Sequence, residues 1–134
     1  MSVHQLWIPG PMPGMNEIID AKGTVRKTRG GKRFDMYQKL KKDWSERIAI
    51  YVRQAHFPRL VGPHEFFFEH REPHRQRDPD NFTGGAHKLI LDALQEAGIL
   101  ENDGWKQVVS FQDMWTVDAE RPGVLMTARA SGDV

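Results

Sequence analysis

The stretch Arg77–Val108, RDPDNFTGGAHKLILDALQEAGILENDGWKQV, limits the possible folds more than any other part of the chain. Asp78 and Asp80 flank Pro79 and are followed by Asn81. Leu89, Ile90, Ala93, Leu94 and Ala97 then recur at helical spacing, which predicts a helix over 86–97 with these residues inward. Gly98 is placed to end that helix as its left-handed C-terminal residue, and a further acid, Asp103, follows. The chain must therefore bring an extended segment to Asp78, run through a helix, and reverse toward Asp103. Carboxylates that meet repel one another unless a cation neutralises them, so convergence of Asp78, Asp80 and Asp103 points to a divalent metal.

The flanking sequence supplies the scaffold. Val3–Ile8 alternates as a strand should, and Pro9-Gly10-Pro11 closes it; Asn16 and Glu17 fall in a polar turn. Segment 20–34 reads as an exposed basic loop or hairpin turning at Gly30-Gly31. From Met36 to about His56, Tyr37, Leu40, Trp44, Ile48, Tyr51 and Ala55 form one apolar helical stripe, with Asp35 as N-cap. Lys39, Lys41, Lys42 and Arg47 lie off that stripe on the solvated face. His64–His70, with Phe66, Phe67 and Phe68, reads as a buried central strand that delivers the chain to the aspartates on its exit loop. Segments 106–117 and 123–130 read as two more strands, and 131–134 as a loose tail. The expected fold is α+β: one domain over 1–134, a single mixed β-sheet with two main helices packed on it.

Composition narrows the function classes. The 134 residues contain no cysteine, so thiol nucleophiles, disulfides and zinc–thiolate sites are excluded, and no stretch has the apolar length of a membrane span. A cytoplasmic protein with no organic cofactor is expected. Net charge is only +1, yet Lys22, Arg26, Lys27, Arg29, Lys32 and Arg33 form a run without an acid, and Arg71, Arg75 and Arg77 precede the aspartates. Basic groups beside an acidic cluster suit a polyanion led to a metal ion.

An extended Asp-x-Asp sends its side chains to opposite faces, but Pro79 favours a turn or bulge that lets both address one ion. Mg²⁺ suits such a set, because it takes hard oxygen ligands and retains waters and substrate phosphate. Lys88 lies one helical turn before Asp92. It either stabilises the phosphate at the metal or forms an ordinary i,i+4 ion pair. Gly84-Gly85 reads as a flexible joint or a phosphate cradle at a helix N-terminus. His70, His74 and His87 lack zinc-ligand spacing, and Asp113 and Asp118 read as surface strand or turn residues. Phe82 and Trp105 either cap the core or wedge into a nucleic acid.

Taken together, R-D-P-D-N at 77–81, K-L-I-L-D-A-L at 88–94, A-G-I-L-E-N-D at 97–103 and the Gln107-Val108 pair resemble the RusA family of Holliday-junction resolvases, many of them encoded by phages and prophages. The segment P-M-P-G-M-N-E at 11–17 is similar to that family's proline-rich opening. The resemblance implies a RusA-like homodimer that binds Mg²⁺, with Mn²⁺ as a substitute, and cuts four-way DNA junctions by paired symmetric nicks in recombination and repair. It implies Asp78, Asp80 and Asp103 as metal ligands, Lys88 as the catalytic lysine, and Asp92, Asn81 and Asn102 as supporting residues. It also implies phosphate contacts from Lys22, Arg26, Lys27, Arg29, Lys32, Arg33, Arg71, Arg75 and Arg77. Three features depart from the family pattern: a longer link from Asp80 to Lys88, Asn102 where many members carry a first aspartate of a pair, and extra residues at 104–106. The alternatives are a broader flap or fork nuclease, a junction-binding protein without cleavage, and a metal-stabilised structural domain unrelated to DNA.

Overall fold

The computed structural model describes residues 2–23, 25–27 and 33–132, with 25–27, 33 and 34 described by their backbone. In chain order the elements are β1 (Val3–Pro9), α1 (Met15–Lys22), β2 (Val25–Lys27), β3 (Arg33–Asp35), α2 (Met36–Gln54), β4 (His64–Glu72), α3 (Pro79–Glu96), β5 (Val108–Val117) and β6 (Gly123–Ala130). β1, β6, β4 and β5 form one mixed sheet in that order, and β2 pairs with β3 in a separate antiparallel hairpin. The architecture is α+β as expected, with a third helix and a second small sheet added to it.

β4 is the central strand. It runs antiparallel to β6 and parallel to β5. A parallel pair requires a crossover, and α3 provides it between β4 and β5. One sheet face carries Leu6, Ile8, Phe66, Phe68, Met126 and Ala128, all buried in a single cluster with Ile18 of α1, Trp44 and Ile48 of α2, and Leu89, Ile90 and Leu94 of α3. The pleat turns Phe67 and Leu125 to the other face, where they stay half-exposed. Burial of the helix-facing set, about 2 kcal/mol for each large side chain, fixes the register: a one-residue slip would send Phe66 and Phe68 to the open face.

Several segments differ from expectation. Asn16 and Glu17 lie in α1 instead of a polar turn. Glu17 Oε1 accepts the Gly14 N–H at 3.4 Å, Ile18 is buried, and Asn81 Oδ1 accepts the Asn16 N–H at 2.8 Å. Without that tertiary contact so short a helix is marginal. α3 begins at Pro79, a full two turns before Ala86, with Asp78 as N-cap residue, Pro79 in the first position and Asp80 in the first turn. Gly84 and Gly85 are therefore inside a helix and not a joint. A Cβ on Gly85 would collide with the Pro13 carbonyl oxygen, so glycine lets α3 pack directly on the connector before α1. At the other end Gly98 has φ +74°, as its position required, while Ala97 is exposed rather than inward. α2 stops at Gln54, leaving Ala55 exposed. The expected turn at Gly30-Gly31 lies outside the described residues. Among those residues no helix is long and apolar enough to cross a membrane.

Candidate metal and nucleic-acid site

β4 ends at Glu72, and the chain reaches α3 through His74, Arg75 and Arg77. Arg77 fixes this exit. Its Nε and Nη2 each donate to Glu72 at 2.8 Å, and its Nη1 donates to the Met12 carbonyl at 2.8 Å and to Glu17 at 3.4 Å. Glu72 is buried, and its two hydrogen bonds raise the Arg77 pKa further above an already high value. Arg77 is thus a strut joining β4, the 9–14 connector and α1, in place of the phosphate contact expected of it.

Asp78 and Asp80 follow at the start of α3, both exposed. Among the described residues neither carboxylate makes a hydrogen bond or an ion pair. Asp78 lines a cleft with Glu72, His74, Arg75, Arg77, Phe82, Trp115 and Val117. Helical backbone at Pro79 and Asp80 replaces the expected turn or bulge. Asn81 faces α1 and caps it, which gives that residue a structural task. Phe82 is buried and caps the core, whereas Trp105 is 98% exposed.

Lys88 lies eight residues along α3 from Asp80, about 12 Å by helical rise. Its Nζ is 3.9 Å from Asp92, and 5.8 Å from the centre of the Tyr37 ring. Lys41 approaches the same Asp92 carboxylate at 3.9 Å, and Lys22 covers Tyr37 at 4.8 Å. Lys88 therefore belongs to a basic group with Lys22 and Lys41 around Tyr37 and Asp92. This arrangement matches the ion-pair alternative.

Asp103 is elsewhere. It is exposed beyond the C-terminal end of α3, and its N–H is held by Asn102 Oδ1 at 2.9 Å. Nearby, Leu60 N–H bonds to the Ile99 carbonyl and His64 N–H to the Gln107 carbonyl, so Asp103 sits by the start of β4 while Asp78 follows its end. The three acids do not meet within one chain. Arg75 is exposed beside Asp78, while Arg71 pairs with Glu69 at 3.0 Å and lies over Trp7 at 4.9 Å. The side chains of Arg26, Lys27, Arg29, Lys32 and Arg33 lie outside the described residues.

A different group does converge. His70 of β4, His87 of α3 and Asp113 of β5 form the one cluster among the described residues with metal-ligand spacing, their ligand atoms all within 4.8 Å of one another. Asp113 Oδ1 is 2.7 Å from His70 Nε2 and 2.8 Å from His87 Nε2. Burial pushes the His70 pKa down and favours the neutral imidazole, and the Asp113 hydrogen bond opposes it without reversing the shift. Sequence spacing missed this group because its members come from three elements. The usable signal is His70 on the Phe66–Phe68 side of a buried strand, a poor place for an unpaired polar ring.

β5 forms one edge of the sheet, and Val109, Phe111, Met114, Trp115 and Val117 are all exposed along it. Trp115 Nε1 donates to Thr83 Oγ1 at 2.8 Å, placing the indole against α3. No model of a known protein family matches this chain, and no curated protein matches it.

Proposed function

We propose that the protein is a Mg²⁺-dependent, structure-specific endodeoxyribonuclease of the RusA type that resolves four-way DNA junctions by paired symmetric nicks. The observation that carries the reading is the pair Asp78 and Asp80. Both carboxylates stand exposed at the head of α3 with no protein partner among the described residues, and Asp78 lines a cleft that also offers Arg75 and His74. Exposed oxygen ligands with room for waters suit Mg²⁺ or Mn²⁺. The ion, when bound, supplies Lewis-acid polarisation of the phosphodiester and a more acidic water.

The chain's own groups account for the rest. Asp78 and Asp80 hold the cation, and Arg75 engages the adjoining phosphate. The positive end of the α3 helix dipole favours an anion at the same place. Lys22 and Lys88 stand farther along, beside Tyr37, and serve the DNA backbone, so the catalytic role implied for Lys88 gives way to backbone binding.

Homodimerisation supplies the missing acid in this reading. An open strand edge with a row of exposed apolar residues is a template for strand pairing. Antiparallel pairing of β5 with its copy sets the Val117 end, beside Asp78, against the Val108 end of the other chain. Asp103 of the partner subunit then approaches Asp78 and Asp80, and the two-fold axis yields two equivalent sites on opposed strands.

The test compares a labelled four-way junction, a flap and a linear duplex, each with Mg²⁺ and with EDTA. Symmetric nicks confined to the junction support the proposal. Equal cutting of flaps supports a broader branched-DNA nuclease, and tight junction binding without nicks in Mg²⁺ or Mn²⁺ supports a junction-binding protein.

A further inference from the structure

We propose that His70, His87 and Asp113 form a transition-metal site of the zinc class, separate from the Asp78–Asp80 pair and independent of the nuclease reading. The three ligand atoms come from a central strand, a helix and an edge strand, so no local turn explains their meeting. Both imidazole Nε2 atoms address a single oxygen of Asp113. Two neutral imidazoles and one carboxylate carry one negative charge, and imidazole nitrogen selects zinc-like ions over Mg²⁺.

The geometry requires little adjustment. Zinc-ligand bonds of about 2.0–2.2 Å in a tetrahedron place ligand atoms about 3.4 Å apart. The present separations from Asp113 Oδ1 are 2.7 and 2.8 Å. These two contacts open by about 0.6–0.7 Å, and the two nitrogens, which lie within 4.8 Å of each other, settle to the same spacing. Binding requires the Nδ1–H tautomer of both rings: each proton moves from Nε2 to Nδ1, the imidazoles stay neutral, and each Nε2 lone pair passes to the ion.

The surroundings are rigid and largely apolar. Phe68 and Phe111 hold the His87 ring at centroid distances of 4.5 and 4.6 Å, and Phe82 lies 5.7 Å from His70. His70 is buried, while the His87 and Asp113 side chains are 20% and 16% exposed, which leaves one side for entry and for a water as fourth ligand. Three protein ligands plus water is the pattern of an open zinc site. Occupation ties α3 to β4 and β5 two turns beyond Asp80, so the ion stabilises the helix that presents the acidic pair.

The experiment uses tag-free, chelator-treated full-length protein. Calorimetric titration with Zn²⁺ is expected to give one site per chain, and Co²⁺ the intense visible bands of a tetrahedral site. The melting temperature is expected to rise with Zn²⁺. His87→Ala and Asp113→Asn, checked for fold by circular dichroism, are expected to lose at least tenfold in Zn²⁺ affinity, whereas Asp80→Asn keeps it. In the wild type, Zn²⁺ is expected to shift the imidazole NMR signals of His70 and His87 selectively, a readout that needs no variant. Absence of stoichiometric Zn²⁺ binding, or binding retained in His87→Ala but lost in Asp80→Asn, overturns the proposal.

Discussion

Asp78 and Asp103 stand at opposite ends of α3, an 18-residue helix that spans about 27 Å. Residues that the sequence places in one metal site are therefore separated by the length of the element between them. If the partner subunit supplies Asp103, the two acidic groups complement each other across a dimer. Mixing Asp80→Asn chains with Asp103→Asn chains is expected to restore nicking, because each mixed dimer contains one site with all its acids intact. Such dimers would nick one strand of the junction only. Two inactive variants that stay inactive after unfolding and refolding together would contradict a shared site.

The Arg77–Glu72 pair is a structural joint. Glu72 is buried and receives two hydrogen bonds from one guanidinium, so removing the cation strands a desolvated carboxylate. Arg77→Ala is expected to destabilise the protein by about 3 kcal/mol. Urea denaturation measures this, and a loss within error of zero would show that the pair is not a strut.

Asn81 supports α1 from outside it. Its side-chain oxygen takes the Asn16 N–H, one of the free donors at that helix start. Asn81→Ala is expected to cost about 1 kcal/mol and to speed amide exchange across 15–22. Uniform exchange rates in the two proteins would argue against this cap.

His70 sets a pH dependence in metal-free protein. Burial lowers its folded-state pKa below the ordinary 6.5. Above that pH both folded and unfolded forms are neutral at this residue. As pH falls below it, the unfolded chain takes up the proton first, so stability is lost toward the lowered folded value. Denaturation in EDTA between neutral and mildly acidic pH is expected to show this slope, reduced in His70→Gln. An identical slope in that variant would assign the dependence to other groups.

Strand and helix identities were legible because each carries its own period: Phe66 and Phe68 alternate in β4, and Trp44 and Ile48 recur in α2. The strands at 3–8, 64–70 and 123–130 follow from local pattern alone. α1 was not legible because its start depends on Asn81, 65 residues away from Asn16. The early start of α3 was obscured by Gly84-Gly85, which reads as a breaker until the contact of Gly85 with Pro13 is known. The same limit explains the site. Asp78 and Asp80 are neighbours in sequence and remain together, whereas the His70–His87–Asp113 group and the remoteness of Asp103 follow from the β4–α3–β5 crossover.

The central claim is that Asp78 and Asp80 hold a catalytic cation on branched DNA. The most direct measurement is cleavage of a labelled four-way junction by wild type and Asp80→Asn, each in Mg²⁺ and in EDTA. The reading requires paired symmetric nicks from the wild type that need Mg²⁺ and fall by about 10²-fold or more in Asp80→Asn. Nicks that persist undiminished in Asp80→Asn, or a wild type that binds the junction and never cuts it, would contradict the claim.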